Sequence, residues 1–191
     1  MTQNPSKLII LDRDGVINED RDDYVKSASE WVPLPGSLEA IALLNKAGYK
    51  IALATNQSGI SRGYFTIDEL NAMHQKMADL LKPIGGYIDS IFFCPHVDTD
   101  ACNCRKPLPG LMIKIANRYN KIETKQPLLG VPIVGDSLRD LQAGVTLGAT
   151  PYLVLTGKGK LTLKNGNLPA GTRVHENLLD FANALLLTTS S

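Results

Sequence analysis

Along the 191-residue chain, apolar runs of strand length alternate with segments of helical period. LIILD (8–12) is continuous rather than alternating, the pattern of a strand buried on both faces. SLEAIALLNKAG (37–48) has helical spacing and closes on Gly48, where a left-handed cap residue belongs. KIALATN (50–56) is a second strand, and TIDELNAMHQKMADLLK (66–82) opens with Thr66 and Glu69 at capping-box spacing and stops before Pro83. IDSIFF (88–93), VPIVGD (131–136) and PYLVLTG (151–157) supply three more strands. PGLMIKIANRYN (109–120), SLRDLQAGVTLG (137–148) and ENLLDFANALLL (176–187) are helices, with Pro109 in a first turn and Ser137 as an N-cap. LTLKNGNLPAG (161–171), polar and Gly-rich, is expected to be a surface loop.

Strands alternating with helices imply an α/β fold, a doubly wound parallel sheet with helices on both faces. No repeat, low-complexity tract or linker divides the chain, so residues 1–191 are expected to form a single domain. In such sheets the loops at the carboxyl ends of the strands carry the chemistry.

Composition narrows the function. Hydrophobic residues at 43% and charged residues at 20% are globular values. A net charge of +1 gives no electrostatic footprint for nucleic acid or an anionic membrane, whereas a locally basic pocket for a small anion remains open. MTQNPSKLIILDRDG has one short apolar run ended by charges, neither a signal peptide nor a membrane span. Three cysteines close to a histidine fit a metal site in a reducing compartment better than a disulfide framework, so a cytoplasmic location is expected.

Polar residues recur at one edge of the expected sheet. Asp12 and Asp14 follow the first strand, Thr55 and Asn56 end the second, Lys106 comes after the third, and Asp136 ends the fourth with Asp140 one helical turn on. An ordinary strand-end turn would also use DRDG, but the later strands repeat the placement. Carboxylates gathered there would repel one another, whereas Mg²⁺ held by oxygen ligands neutralises them and binds a phosphate oxygen. The Thr55 hydroxyl, the Lys106 charge and the free amides at the Ser137 helix start suit an anion. A second cluster, CPHVDTDACNCRKP from residue 94, places Cys94, His96, Cys102 and Cys104 within eleven residues. Three thiolates and one imidazole make a complete tetrahedral Zn²⁺ set, and a closed set is structural. Buried free thiols are the alternative reading. His74 and His175 read as surface residues, Trp31 as packing for the loop after the first strand, and TGKGK (156–160) as an ordinary strand exit without Walker spacing.

DRDGVIN, ATNQSG, RKP and VGDSLRD, in this order, resemble the four motifs of the haloacid dehalogenase superfamily of aspartate-nucleophile phosphotransferases over roughly residues 8 to 157. Val16 departs from the pattern, since many members carry Thr there. CPH followed by CxCRKP resembles a narrower subgroup, the heptose-bisphosphate phosphatases and the closely similar histidinol-phosphate phosphatases. TNQSGI, SRGYFT and RKPLPG favour the former, while the short gap between His96 and Cys102 fits either. The resemblance implies a Rossmann-like core, with Asp12 as nucleophile and Asp14 as general acid and base. It implies Mg²⁺ on the Asp12 and Asp136 carboxylates and the Asp14 carbonyl, and places Thr55 and Lys106 on the transferring phosphoryl group. The short intervals between motifs imply a capless member with a zinc-bound loop at 94–104. Specificity then rests on Asp20, Tyr24, Asn56, Gln57, Ser58 and Arg105, with Arg105 on a distal phosphate. The implied substrate is a small sugar bisphosphate, cut at its 7-phosphate on the way to ADP-heptose and lipopolysaccharide core, by a monomer with no nucleic-acid or membrane partner. A zinc-knuckle nucleic-acid binder and a silent scaffold are the other classes. Aromatic content of 6% speaks against the first, and the full set Asp12, Asp14, Thr55, Lys106 and Asp136 against the second.

Overall fold

The computed structural model describes residues 7–119 and 124–189, so Asn120, at the end of the expected 109–120 helix, lies outside the described residues. Six parallel strands form one sheet in the order β3-β2-β1-β4-β5-β6. They are β1 (Leu8–Leu11), β2 (Lys50–Asn56), β3 (Ser90–Cys94), β4 (Pro132–Gly135), β5 (Thr150–Val154) and β6 (Arg173–His175). The helices are α1 (Ser37–Lys46), α2 (Ile67–Leu81), α3 (Gly110–Arg118), α4 (Leu138–Val145), α5 (Gly159–Asn165) and α6 (Leu178–Thr189).

Both faces of β1 are buried, which explains its unbroken apolar run. Ile9 and Leu11 enter a core with Ile41 of α1, Leu70 and Met73 of α2 and Phe181 of α6. Leu8 and Ile10 enter the opposite core with Leu111 and Ile115 of α3 and Ala143 of α4. α2 starts with the expected capping box: Glu69 N donates to Thr66 Oγ1 at 3.2 Å and Thr66 N to Glu69 Oε2 at 2.6 Å. Trp31 is fully buried in the first core, as its sequence context suggested.

Strand order runs outward from β1 through β2 to β3 on one side and through β4 to β6 on the other, so the direction of winding reverses between β1 and β4. The two strands diverge in their connections there and leave a crevice at their carboxyl ends, where such sheets bind ligands. Asp12 sits at that point, its N donating to Val134 O at 3.0 Å. Only a loop and α1 separate β1 from β2, so the described chain has no inserted cap there.

One expected loop is replaced by structure. Residues 161–171 hold most of α5, and β6 follows at Arg173–His175. Gly159 opens α5 because a Cβ there would lie 1.8 Å from Val154 O, so the glycine marks close backbone approach rather than a loop. β6 is an edge strand of three residues, too short to show a period. His175, expected at the surface, belongs to β6, with its ring 5.8 Å from that of Phe181 and Nδ1 3.1 Å from Asp180 Oδ2.

Candidate active site

Segments from four strand ends meet in the crevice between β1 and β4. Asp12 follows β1 and Asp136 follows β4, while Asp140 lies on the first turn of α4; one carboxylate oxygen from each lies within 4.8 Å of the others. Lys106 enters from the β3 side, with Nζ 2.9 Å from Asp12 Oδ1 and 2.7 Å from Asp140 Oδ1, and donates to Ala54 O at 2.6 Å. Its backbone is fixed by the Asn56 side chain, which accepts from Lys106 N at 3.0 Å and donates to Lys106 O at 3.1 Å. Asn56, expected to bind substrate, therefore spends its amide on positioning Lys106. Ser137 is the N-cap of α4, as its sequence position suggested, and its N and Oγ donate to Asp140 Oδ2 at 3.0 and 2.5 Å.

One ammonium cannot balance three buried carboxylates. Burial, then the charge of Asp140, raises Asp12 to about 6, with Lys106 acting in the opposite direction. Burial, then Asp140 and Asp12, raises Asp136 to about 8. Burial would also raise Asp140, but the charges of Lys106 and Arg139 outweigh it and hold that carboxyl low. Asp12 and Asp136 are thus the pair with uncompensated charge, and their hard oxygens fit a divalent cation. The backbone leaves space around them: a Cβ on Gly15 or Gly157 would lie 2.1 or 2.2 Å from Asp136 Oδ2, and both glycines have positive φ. Lys158 N donates to the same oxygen at 2.8 Å.

Asp14 lies beside this group in a separate net. It accepts from Arg13 Nη2 at 2.9 Å, Asn18 Nδ2 at 2.9 Å and Gln57 Nε2 at 2.8 Å. Burial alone would raise its pKa, but Arg13 and these hydrogen bonds bring it below the ordinary carboxylate value. Gln57 also donates to Thr55 Oγ1 at 2.8 Å and accepts from Arg13 Nη2 at 3.2 Å, tying the second strand end to the first. Arg13 and Asn18 were quoted in the first motif without a role. His74, expected at the surface, is half-buried with Nε2 3.5 Å from Arg13 Nη1, and burial followed by the Arg13 charge lowers its pKa to about 4.

A cavity of about 160 Å³ opens above these groups, lined among others by Asp12, Asp14, Asp20, Tyr24, Asn56, Gln57, Ser58, Arg105 and Asp136. The structure so gathers most of the residues proposed from sequence, and Thr55, itself buried, accepts from Gln57, which lines the cavity. Asp20 is paired with Lys158 Nζ at 3.1 Å, and the Tyr24 ring packs 5.1 Å from that of Tyr64. Arg105 donates from Nε to Asp98 and from Nη1 to His96 O at 3.2 Å. The cavity wall also holds Lys158 and Arg139, which sequence reasoning missed. TGKGK is not an ordinary strand exit: Thr156 Oγ1 donates to Gly15 O at 2.6 Å and Lys158 N to Asp136, which closes the site against β5. The signal available was its position, another strand end at the same sheet edge. Val16 is buried in the first core.

Behind Arg105, the side chains of Cys94, His96, Cys102 and Cys104 converge, with ligand atoms within 4.8 Å of one another. Sγ of Cys94 lies 3.0 Å from Sγ of Cys104 and 3.8 Å from that of Cys102, and His96 Nδ1 lies 3.3 Å from Cys104 Sγ. Burial pushes the Cys94 thiol up to about 12, a cost that a cation binding the thiolate reverses. The donor set fits a soft, tetrahedral metal ion.

A sheet whose winding reverses over an aspartate, with a buried lysine and further carboxylates around it, defines a hydrolase class, and the chain belongs to the haloacid dehalogenase-like hydrolases, whose family model matches residues 3–148. It is 56% identical over 182 residues to D-glycero-beta-D-manno-heptose-1,7-bisphosphate 7-phosphatase of Neisseria meningitidis serogroup A, covering 94% of this chain and 95% of that one. Its identity to the Bordetella bronchiseptica protein of the same name is 56% over 180 residues, 94% of this chain and 98% of that one. A crystal structure of D,D-heptose 1,7-bisphosphate phosphatase from B. bronchiseptica, complexed with magnesium and phosphate, superimposes with a TM-score of 0.91 at 55% identity, over 95% of this chain and 99% of that one. Among the described residues no helix is long and apolar enough to cross a membrane.

The raised Asp136 fixes the sign of one pH effect. Below about 8 its carboxyl holds a proton that a cation must displace, so divalent-cation affinity should fall about tenfold per pH unit between 8 and 6 and level off above 8. Titration calorimetry with Mg²⁺ across this range checks it; an affinity independent of pH would contradict the assignment of Asp136.

Proposed function

We propose that the chain removes the 7-phosphate of D-glycero-β-D-manno-heptose 1,7-bisphosphate through an aspartyl-phosphate on Asp12, as a step in making ADP-heptose for lipopolysaccharide. The observation that carries this reading is the 56% identity to named heptose bisphosphatases across 94% of the chain. The geometry agrees with it: Asp12 stands at the switch point with Lys106 beside it.

A carboxylate oxygen of Asp12 attacks phosphorus in line, and the bond from phosphorus to the sugar oxygen breaks. Asp14 gives a proton to that oxygen. A water then attacks the acyl phosphate, Asp14 takes its proton, and the bond from phosphorus to Asp12 breaks to release inorganic phosphate. The lowered pKa of Asp14 in the open site suits the second step. The first needs it protonated, which the negative charge of a bound phosphate ester favours by raising its pKa. Lys106 and Thr55 hold the phosphoryl oxygens, and Asp140 orients Lys106. Mg²⁺, held by Asp12, Asp136 and the Asp14 carbonyl, would supply positive charge to the phosphoryl oxygens.

Zn²⁺ on Cys94, His96, Cys102 and Cys104 would hold the loop that carries Arg105, since Arg105 bonds to Asp98 of that loop and to the carbonyl of His96. Substrate contacts beyond the phosphoryl group come from Asp20, Tyr24, Gln57, Ser58 and Arg105. The protein acts as a cytoplasmic monomer without a nucleic-acid or membrane partner. The histidinol-phosphate alternative finds no support among the relatives described.

Two measurements check this reading. Phosphate release from both anomers of the heptose bisphosphate and from histidinol phosphate should give the highest kcat/KM with the β-bisphosphate; a preference for histidinol phosphate would overturn the substrate and leave the phosphatase chemistry standing. Protein purified without chelator should carry about one Zn²⁺ per chain, and Cys104→Ser should lose it and weaken substrate use while still requiring Mg²⁺. Metal analysis that finds no zinc in the unmutated protein ends the zinc assignment.

A further inference from the structure

Five cations line the cavity above Asp12, and four are already committed. Arg13 is held by Asp14, Arg21 by Asp23, Arg105 by Asp98 and Lys158 by Asp20. Arg139, on the first turn of α4, has no ion pair or hydrogen bond with any described residue, and its Nε is enclosed without an acceptor. Its charge is sustained only through space: burial opposes it, and the carboxylates of Asp140, Asp12, Asp136 and Asp20 favour it.

Its place is as informative as its missing partner. A second hollow of about 390 Å³, lined by Val97, Ala101 and Leu108 among others, adjoins the first beside the Cys/His loop. Arg105 and Arg139 are the two residues that line both hollows. The seam between the hollows therefore carries two guanidinium groups, while the floor of the first carries Asp12 and Asp136. A substrate with two phosphoryl groups presents one to Asp12 and must keep the other away from those carboxylates. A guanidinium whose donors lack an acceptor gains hydrogen bonds from a phosphate, and two of them can flank its oxygens.

We propose that Arg139, with Arg105, binds the distal phosphoryl group of the substrate and so sets the preference for a bisphosphate over a monophosphate. This rests on the sugar bisphosphatase reading above and adds the residue that would secure it. Arg105 is constrained by its bonds to the Cys/His loop, whereas Arg139 comes from α4, the helix that also supplies Asp140. Two independent elements then converge on one anion.

The test compares the unmutated protein, Arg139→Met and Arg139→Lys. It uses the heptose 1,7-bisphosphate, the heptose 7-phosphate that lacks the distal group, and the heptose 1-phosphate product, which carries the distal group alone. Arg139→Met should lower kcat/KM for the bisphosphate about tenfold or more, chiefly through KM, and lower calorimetric affinity for the 1-phosphate by a similar factor. The 7-phosphate should lose less, and Arg139→Lys should recover part of the 1-phosphate affinity. If Arg139→Met keeps the full bisphosphate preference, or lowers use of both substrates equally, Arg139 serves only to balance the acidic cluster; the inference falls and the proposed activity stands. An unmutated enzyme without a bisphosphate preference overturns the substrate reading and the inference together. Should Arg139→Met fail to fold, Arg139→Lys carries the test: unchanged affinity for the 1-phosphate and unchanged preference would count against guanidinium recognition.

Discussion

A single ammonium group, Lys106 Nζ, joins the parts of the molecule that the chain supplies separately. It is buried between Asp12, which leaves β1, and Asp140, on α4, and donates to a carbonyl of β2. Taking three charges out of water is expensive, and Lys106 offsets part of that cost by pairing with both carboxylates and donating to the Ala54 carbonyl. Removing one partner from such a group costs about 3–5 kcal/mol, because the remaining charges stay buried without balance. The strand ends therefore cannot drift apart independently.

That constraint propagates outward. Lys106 is positioned by the Asn56 amide, and Asn56 ends β2, so the end of the second strand acts on the centre through Lys106. Two residues before Lys106 stands Cys104, the last of the four converging soft ligands, and the intervening Arg105 is tied back to His96 and Asp98. The Cys/His loop and the carboxylate crevice are thus mechanically one assembly. On the other flank, Gly15 and Gly157 let the β1 and β5 exits approach Asp136 more closely than any side chain would allow.

Much of this was legible in the sequence because the fold puts its chemistry at strand ends. The unbroken run LIILD, the alternation of periods and the capping box at Thr66 fixed element type, and polar residues at successive strand ends marked the crevice. β6 and α5 escaped because three residues show no period and seven residues opening on glycine resemble a loop. Arg139 escaped for a different reason. Helical spacing gives it no distinction from any surface arginine, and its significance lies in what it fails to contact. The same holds for Lys158, whose backbone amide rather than its side chain meets Asp136. His74 and Arg13 show the converse, since their contact joins residues far apart in the chain and no local pattern encodes it.

The proposed chemistry depends on Asp12 as a nucleophile rather than only as a carboxylate that holds a cation. The direct measurement is rapid acid quench during turnover of the heptose bisphosphate, followed by peptide mass spectrometry. The account predicts a transient phosphoryl adduct on the peptide containing Asp12, absent from Asp12→Asn and formed no more slowly than phosphate is released. Turnover at full rate with no adduct at any quench time, and with inversion rather than retention of configuration at phosphorus, would contradict it and leave direct attack by water as the mechanism.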